Sequence, residues 1–139
     1  MWIFNTEEKH WTMKAVGDDP RRFPSPRSGH AACVLGENMW VFGGQGDYEK
    51  LNDLWKYNIH FGTWDQIMFN DSDAVPAERS GHTLTVYKNM LVLFGGIQEV
   101  TKELNDMYIF DTTTSKFKLL SGLEGAKSLE FASPVVSPT

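Results

Sequence analysis

The sequence predicts an all-β fold assembled from repeated four-stranded antiparallel units, and three observations carry that prediction. The first is an internal repeat. The stretch "RSGHAACVLGENMWVFGG" at Arg27–Gly44 returns as "RSGHTLTVYKNMLVLFGG" at Arg79–Gly96, with Arg27, Gly29, His30 and Gly43 answered by Arg79, Gly81, His82 and Gly95 at one fixed offset. A fixed period of this kind marks one supersecondary unit used more than once. The second is composition: five Trp, four Tyr and nine Phe beside twelve Gly suit many short strands separated by tight turns. The third is that no segment carries a helical period of apolar residues.

The elements follow in order within one unit. His30–Leu35 ("HAACVL") is small and apolar, as expected of a strand buried on both faces. Met39–Phe42 ("MWVF") is a second strand, ended by Gly43-Gly44 where the backbone must pass closely or take a positive φ. Leu54–Asn58 and Thr63–Ile67 are the third and fourth strands, and turn residues at Gly36–Asn38, Gly43–Asp47 and Phe61–Thr63 separate the four. The second half of the unit also repeats. Asn52, Asp53, Tyr57 and Trp64 match Asn105, Asp106, Phe110 and Phe117, one residue out of step with the first half. The extra residue falls where "QGDYEKL" becomes "IQEVTKEL", which places a loop there. Read backwards, the same spacing pairs Trp55, Tyr57, Asn58 and Trp64 with Trp2, Phe4, Asn5 and Trp11, so a half unit stands first.

Four antiparallel strands in about 50 residues, repeated in tandem, match one propeller blade per repeat. The aromatic pairs Phe4/Trp11, Tyr57/Trp64 and Phe110/Phe117 are placed to fill the wedge between blades, with Trp64 and Phe117 expected to be equally buried.

The remaining composition narrows the function classes. A chain of 139 residues with 41% hydrophobic and 22% charged residues can bury the core of one ordinary domain. Its net charge of −5 argues against a general nucleic-acid or anionic-membrane binder. One cysteine, Cys33, allows no internal disulfide, and the apolar start "MWIF" meets "NTEEKH" before a signal-peptide core can form. A cytoplasmic setting is expected, with no membrane partner. Of His10, His30, His60 and His82 only His30 and His82 are equivalent, and they lie in separate units. No H-x-E, C-x-x-C or H-x₃-H spacing occurs, so no catalytic residue, metal or cofactor is expected. Each repeat histidine is expected to hydrogen-bond neighbouring backbone at a strand start. Cys33, mid-strand among Ala31, Ala32 and Val34, is expected to be a buried inert thiol.

The motifs "PRSGH", the apolar strand ending in "FGG", "LNDLWKYN" and the tryptophan that follows resemble the Kelch repeat, over about 120 residues from Met1 to Leu120. The resemblance implies a partial Kelch-type β-propeller with four-stranded antiparallel blades, acting as a protein-binding platform. It divides the chain into repeats over 1–120 (half blade 1–16, blade 24–70, blade 76–120) and a non-repeat tail, 121–139, expected to be disordered. A closed ring takes about 4–8 blades, so the remaining blades are expected from the rest of a longer protein or from oligomerisation.

Strand direction puts the loop entering the first strand (d–a) and the loop between the second and third (b–c) on one rim. These are the longest and most variable segments, where binding residues concentrate. In relatives, an arginine matching Arg27 and Arg79 and the residues after the glycine pair can face a ligand. By that resemblance Arg27, Arg79, Gln45, Asp47, Gln98 and Glu99 are candidate contacts with a protein partner. For the two arginines the other reading is structural: each braces its turn by bonding carbonyls or the nearby aspartate. The acidic Asn70–Ala74 and Asp18-Asp19 fall in corresponding loops and read as solvated turn residues, with a basic preference if they meet a partner. The leading expectation is a non-catalytic interaction module. The alternatives are a fragment of a propeller enzyme of the oxidase or metal-dependent specifier type, or a structural fragment completed by another chain.

Overall fold

The computed structural model describes residues 1–14 and 22–121, and within them the chain forms ten strands. These are β1 (Trp2–Asn5), β2 (His10–Met13), β3 (Ala31–Leu35), β4 (Asn38–Gln45), β5 (Lys50–Asn58), β6 (Thr63–Ile67), β7 (Thr83–Tyr87), β8 (Met90–Glu99), β9 (Lys102–Asp111) and β10 (Lys116–Ser121). They make a two-stranded sheet, β1-β2, and two four-stranded antiparallel sheets ordered β3-β4-β5-β6 and β7-β8-β9-β10. Every connection within a sheet joins neighbours, so each sheet is an up-and-down meander as the repeat requires. Asp18-Asp19 and most of the 121–139 tail lie outside the described residues. Among the described residues no helix is long and apolar enough to cross a membrane.

The third-to-fourth-strand turn is built alike in all three sheets. Asn5, Asn58 and Asp111 each accept backbone amides of the turn that follows: Oδ1 of Asn5 from Glu7 and Glu8 at 2.9 Å, of Asn58 from Phe61 at 2.8 Å, and of Asp111 from Thr113 at 2.8 Å. Such short side chains offer the backbone a local partner, which is why they favour turns.

Two strands outrun the sequence expectation. Gly43 and Gly44 do not end the second strand; they lie inside β4, where the β4–β5 register shifts between Phe42 and Gly44. Both have positive φ, 58° and 104°, and a Cβ on Gly43 would stand 2.9 Å from the carbonyl oxygens of Arg79 and Leu51. The glycines therefore form a bulge and allow a close approach, after which the ladder resumes through Gly44↔Leu51 and Gln45↔Lys50. The second sheet shifts at the equivalent Phe94/Gly96 and again at Ile97/Glu99, which takes up its extra residue.

β3 is not buried on both faces. Its side chains alternate, and Val34 is 57% exposed. One face of β3 (Ala31, Cys33, Leu35) packs on the core between the four-stranded sheets; on the other, Ala32 lines a cavity shared with Met1 and Trp2, and Val34 is exposed.

That core is a seam of aromatic and aliphatic side chains. Trp40, Phe42 and Leu54 from the first four-stranded sheet meet Leu84, Leu91, Leu93, Phe110 and Phe117 from the second. Trp40 lies 5.6 Å from Phe110 and Phe42 lies 5.7 Å from Phe117, ring centre to ring centre. The repeated aromatic pairs share one geometry: Phe4–Trp11, Tyr57–Trp64 and Phe110–Phe117 have centroids 5.0, 4.9 and 4.9 Å apart. Their burial differs, however. Phe117 is 6% exposed, whereas Trp64 is half-buried, because Phe117 packs under a full sheet and Trp64 faces only the narrow β1-β2 pair.

Candidate functional site

The rim predicted from strand direction is assembled by backbone. Ser28 bridges Gln45, with amide–carbonyl bonds of 3.0 and 2.7 Å, and Ser80 bridges Ile97 at 3.1 and 2.8 Å. Each d–a loop is thus sewn to the b–c hairpin of its own sheet. Gly44, Arg79 and Leu51 then join the two units: Gly44 donates its amide to Arg79 O at 2.9 Å, and Arg79 donates its amide to Leu51 O at 3.2 Å.

Beneath the hairpins sit two guanidinium clamps. Arg79 is fully buried; its Nη1 and Nη2 donate to Asp106 Oδ1 and Oδ2 at 2.5 and 2.9 Å. Nη1 also donates to Gly95 O and Nε to Ala77 O, both at 2.9 Å, and the Tyr108 ring lies 5.7 Å from the guanidinium carbon. Arg27 repeats the pattern with Asp53 at 2.6 and 2.9 Å, Gly43 O at 3.1 Å and Ser25 O at 3.0 Å. A planar fork of donors suits this job, holding a carboxylate and the carbonyl at the glycine bulge at once. Burial works to raise the Asp53 pKa, but hydrogen bonds from Arg27 and Trp55, with the Arg27 charge, outweigh it and hold the carboxyl below its ordinary range. Asp53 and Asp106 were visible in the sequence as recurring residues, though only an unnumbered nearby aspartate was named there as a brace for the arginines. They follow their arginines at nearly the same distance, 26 and 27 residues, which was the available signal.

Above the clamps, a groove of about 710 Å³ runs between the two hairpins. Gln45, Tyr48 and Glu49 line it from one side, and Glu78, Gln98 and Glu99 from the other. Gln98 donates to Glu78 Oε1 at 3.0 Å, and that bond is the main cause of a lowered Glu78 pKa. Of the sequence candidates, Gln45, Gln98 and Glu99 therefore share one groove. Asp47 is exposed on the first hairpin but does not line the groove, and both arginines lie under it with their guanidinium groups paired. Tyr48 and Glu78 were missed, since neither recurs between repeats.

His82 hydrogen-bonds backbone, as expected of a repeat histidine, but across the seam: its Nε2 donates to Phe42 O of the preceding sheet at 3.1 Å. Burial pushes its pKa down to about 4, so the ring is neutral. His30 is exposed. Cys33 is half-buried, and burial raises its thiol to about 11. In the acidic loop, Asp73 accepts the Asn70 amide at 2.8 Å and faces Lys116 Nζ at 3.7 Å, a turn-closing role. Among the described residues no group of three His, Cys, Asp or Glu side chains is arranged to hold a metal.

Comparison with known proteins matches the sequence to a family. The model described as the KLHDC2/KLHL20/DRC7 Kelch-repeats domain matches residues 1–130. The chain is 35% identical to human Kelch domain-containing protein 1 over 124 residues, covering 87% of this chain and 29% of that protein. It is 33% identical to the mouse counterpart over 123 residues, with the same two coverages. It is 37% identical over 116 residues to an F-box/kelch-repeat protein of Arabidopsis thaliana, covering 78% of this chain and 24% of that protein. The chain thus spans less than a third of the length of these relatives. With two four-stranded antiparallel sheets, paired arginine clamps and this match, the chain belongs to the Kelch-repeat family and carries part of a Kelch β-propeller.

Proposed function

We propose that the chain is a non-catalytic protein-interaction module whose d–a and b–c loops form one binding rim. The observation that carries this reading is the pair of strand bridges, Ser28↔Gln45 and Ser80↔Ile97, which gather both loop sets around the groove. In this reading Gln45, Asp47, Gln98 and Glu99 meet the partner. Arg27 and Arg79 act through the clamps, holding the hairpins at a fixed height so that contact residues are presented without first being ordered. The partner is a protein, with neither nucleic acid nor membrane involved, consistent with the net charge of −5. The remaining blades come from a longer protein or another chain, and the lone Cys33 supports a cytoplasmic setting.

The test is affinity capture with the unaltered chain beside a variant carrying Gln45→Ala, Asp47→Ala, Gln98→Ala and Glu99→Ala. A variant that melts like the parent but loses a specifically captured protein supports the rim. Unchanged capture by a folded variant moves the binding surface elsewhere.

A further inference from the structure

The groove between the two b–c hairpins carries an unbalanced charge. Glu49, Glu78 and Glu99 line it, all three exposed, and Lys50 is the one lysine among the described residues that lines it with them. Neither Glu49 nor Glu99 has an ion pair or a side-chain hydrogen bond among the described residues. Glu78 is held as a carboxylate, chiefly by the Gln98 bond and more weakly by the charge of Lys102. The arginines underneath do not offset these charges, because Arg27 and Arg79 are already paired with Asp53 and Asp106.

Two exposed side chains flank the same space. Tyr48 on the first hairpin and Val100 on the second both line the groove, and each is 99% exposed. A tyrosine ring fully in water adds little to the fold, whereas tyrosine is enriched where protein partners meet. Its ring face also attracts a cation, an arginine guanidinium more often than a lysine ammonium.

We propose that the groove takes an arginine-bearing segment of the partner protein. The inference rests on the rim being the binding face, and it adds the charge of what that face binds. Carboxylates stand on both walls, Glu49 on one and Glu78 and Glu99 on the other. A guanidinium suits that arrangement, since its planar fork of donors can bond carboxylates while its flat face stacks on the Tyr48 ring. Val100 covers the aliphatic stem of the arginine or an apolar neighbour in the segment. An acidic segment meets like charge on both walls, which is how a rim rejects wrong partners.

The experiment is fluorescence anisotropy with a labelled peptide of alternating arginine and serine, about eight residues long, beside its glutamate–serine counterpart at low salt. Saturable binding of the arginine peptide alone is expected. Glu49→Gln combined with Glu99→Gln weakens it about tenfold, by removing charge-assisted bonds on both walls. Tyr48→Ala weakens it about threefold through loss of the ring face. The pair Glu7→Gln and Glu8→Gln, in the β1–β2 turn, removes the same charge and leaves binding unchanged. All the substituted side chains are exposed, and the comparison of the two peptides needs no variant. The proposal is overturned if the arginine peptide shows no saturable binding or the two peptides bind equally. Equal weakening by the groove pair and the Glu7/Glu8 pair overturns it too, as binding through net charge alone. The rim reading fails separately. A captured protein that needs Gln45, Asp47, Gln98 and Glu99, yet binds unchanged to a chain with Glu49→Gln and Glu78→Gln, keeps the rim and overturns the arginine segment.

Discussion

The amide of Gly81 donates to the carbonyl of Gly29 at 2.8 Å, so each residue meets its own counterpart from the other repeat. The contact is possible because both Arg-x-Gly-His turns face the same way, one stacked behind the other. It fixes the spacing at which His82 reaches Phe42 O, and it lies two residues from Arg79, whose side chain makes the clamp and whose carbonyl accepts the Gly44 amide. The turn that looks in sequence like a local signature is thus a joint between blades. Four predictions follow from how that joint and its surroundings are built.

The Arg79 clamp is a matter of stability before it is a matter of binding. Arg79→Ala leaves Asp106 buried without its partner, which costs about 3–5 kcal/mol. Arg27→Ala costs less, because the Asp53 side chain keeps 21% exposure against 6% for Asp106. Arg79→Lys does not restore the loss, since an ammonium cannot hold both carboxylate oxygens and the Gly95 carbonyl together. Urea melts of the three variants check the order.

Burial ranks the repeated aromatics. Phe117→Ala, at the seam between full sheets, costs about 3–5 kcal/mol. Trp64→Ala costs distinctly less although the tryptophan is larger, because its ring is only partly buried. Equal losses in thermal melts would contradict the uneven packing.

Acid should weaken the fold through His82. Its folded pKa, about 4, lies below the ordinary 6.5. Between those values the unfolded chain takes up a proton that the folded chain refuses, so stability falls as pH drops from about 6.5 to 4. Above that window both states are neutral at this site, and below it both are protonated, so the contribution is flat on either side. Nδ1 of His82 is buried without a partner, which is why the added proton is unwelcome. His82→Gln keeps a donor toward Phe42 O and removes the titration. Its melting point therefore changes less across the window than that of the parent.

The Cys33 thiol, raised to about 11 by burial, is held protonated at neutral pH. Alkylation by iodoacetamide at pH 8 is slow for the native chain and rises toward the rate of a free thiol in urea, since only the thiolate attacks. Rapid native labelling would show that the strand pair β3-β4 opens readily.

Much of the fold was legible because repetition supplies internal controls. Phe4/Trp11, Tyr57/Trp64 and Phe110/Phe117 appear at matching positions in the sequence and share one ring geometry in the structure. Strand lengths were less legible. A glycine pair reads as a terminator, whereas here it forms a bulge across which β4 continues to Gln45. The burial of β3 was misjudged for a related reason: small apolar residues show that a strand can be covered on both faces, not that neighbours exist to cover it. In the candidate site, the recurrence of Arg27 with Asp53 and of Arg79 with Asp106 was visible, but recurrence does not say which side chain meets which. The groove was invisible, because Tyr48, Glu78 and Val100 belong to loops that share no pattern between repeats.

The second register shift in β8, between Ile97 and Glu99, lies above the clamp rather than within it. The two hairpins differ in length by one residue, yet Arg27 and Arg79 hold Asp53 and Asp106 with the same pair of forked bonds, the longer of them 2.9 Å in both. Length variation is confined to the hairpin tip and is mechanically insulated from the frame below. The chain is in that respect a socket with exchangeable fittings. A foreign peptide spliced between Asp47 and Tyr48, or at Val100, leaves the arginine–aspartate frame untouched, so new recognition can be selected at the rim without re-solving the fold.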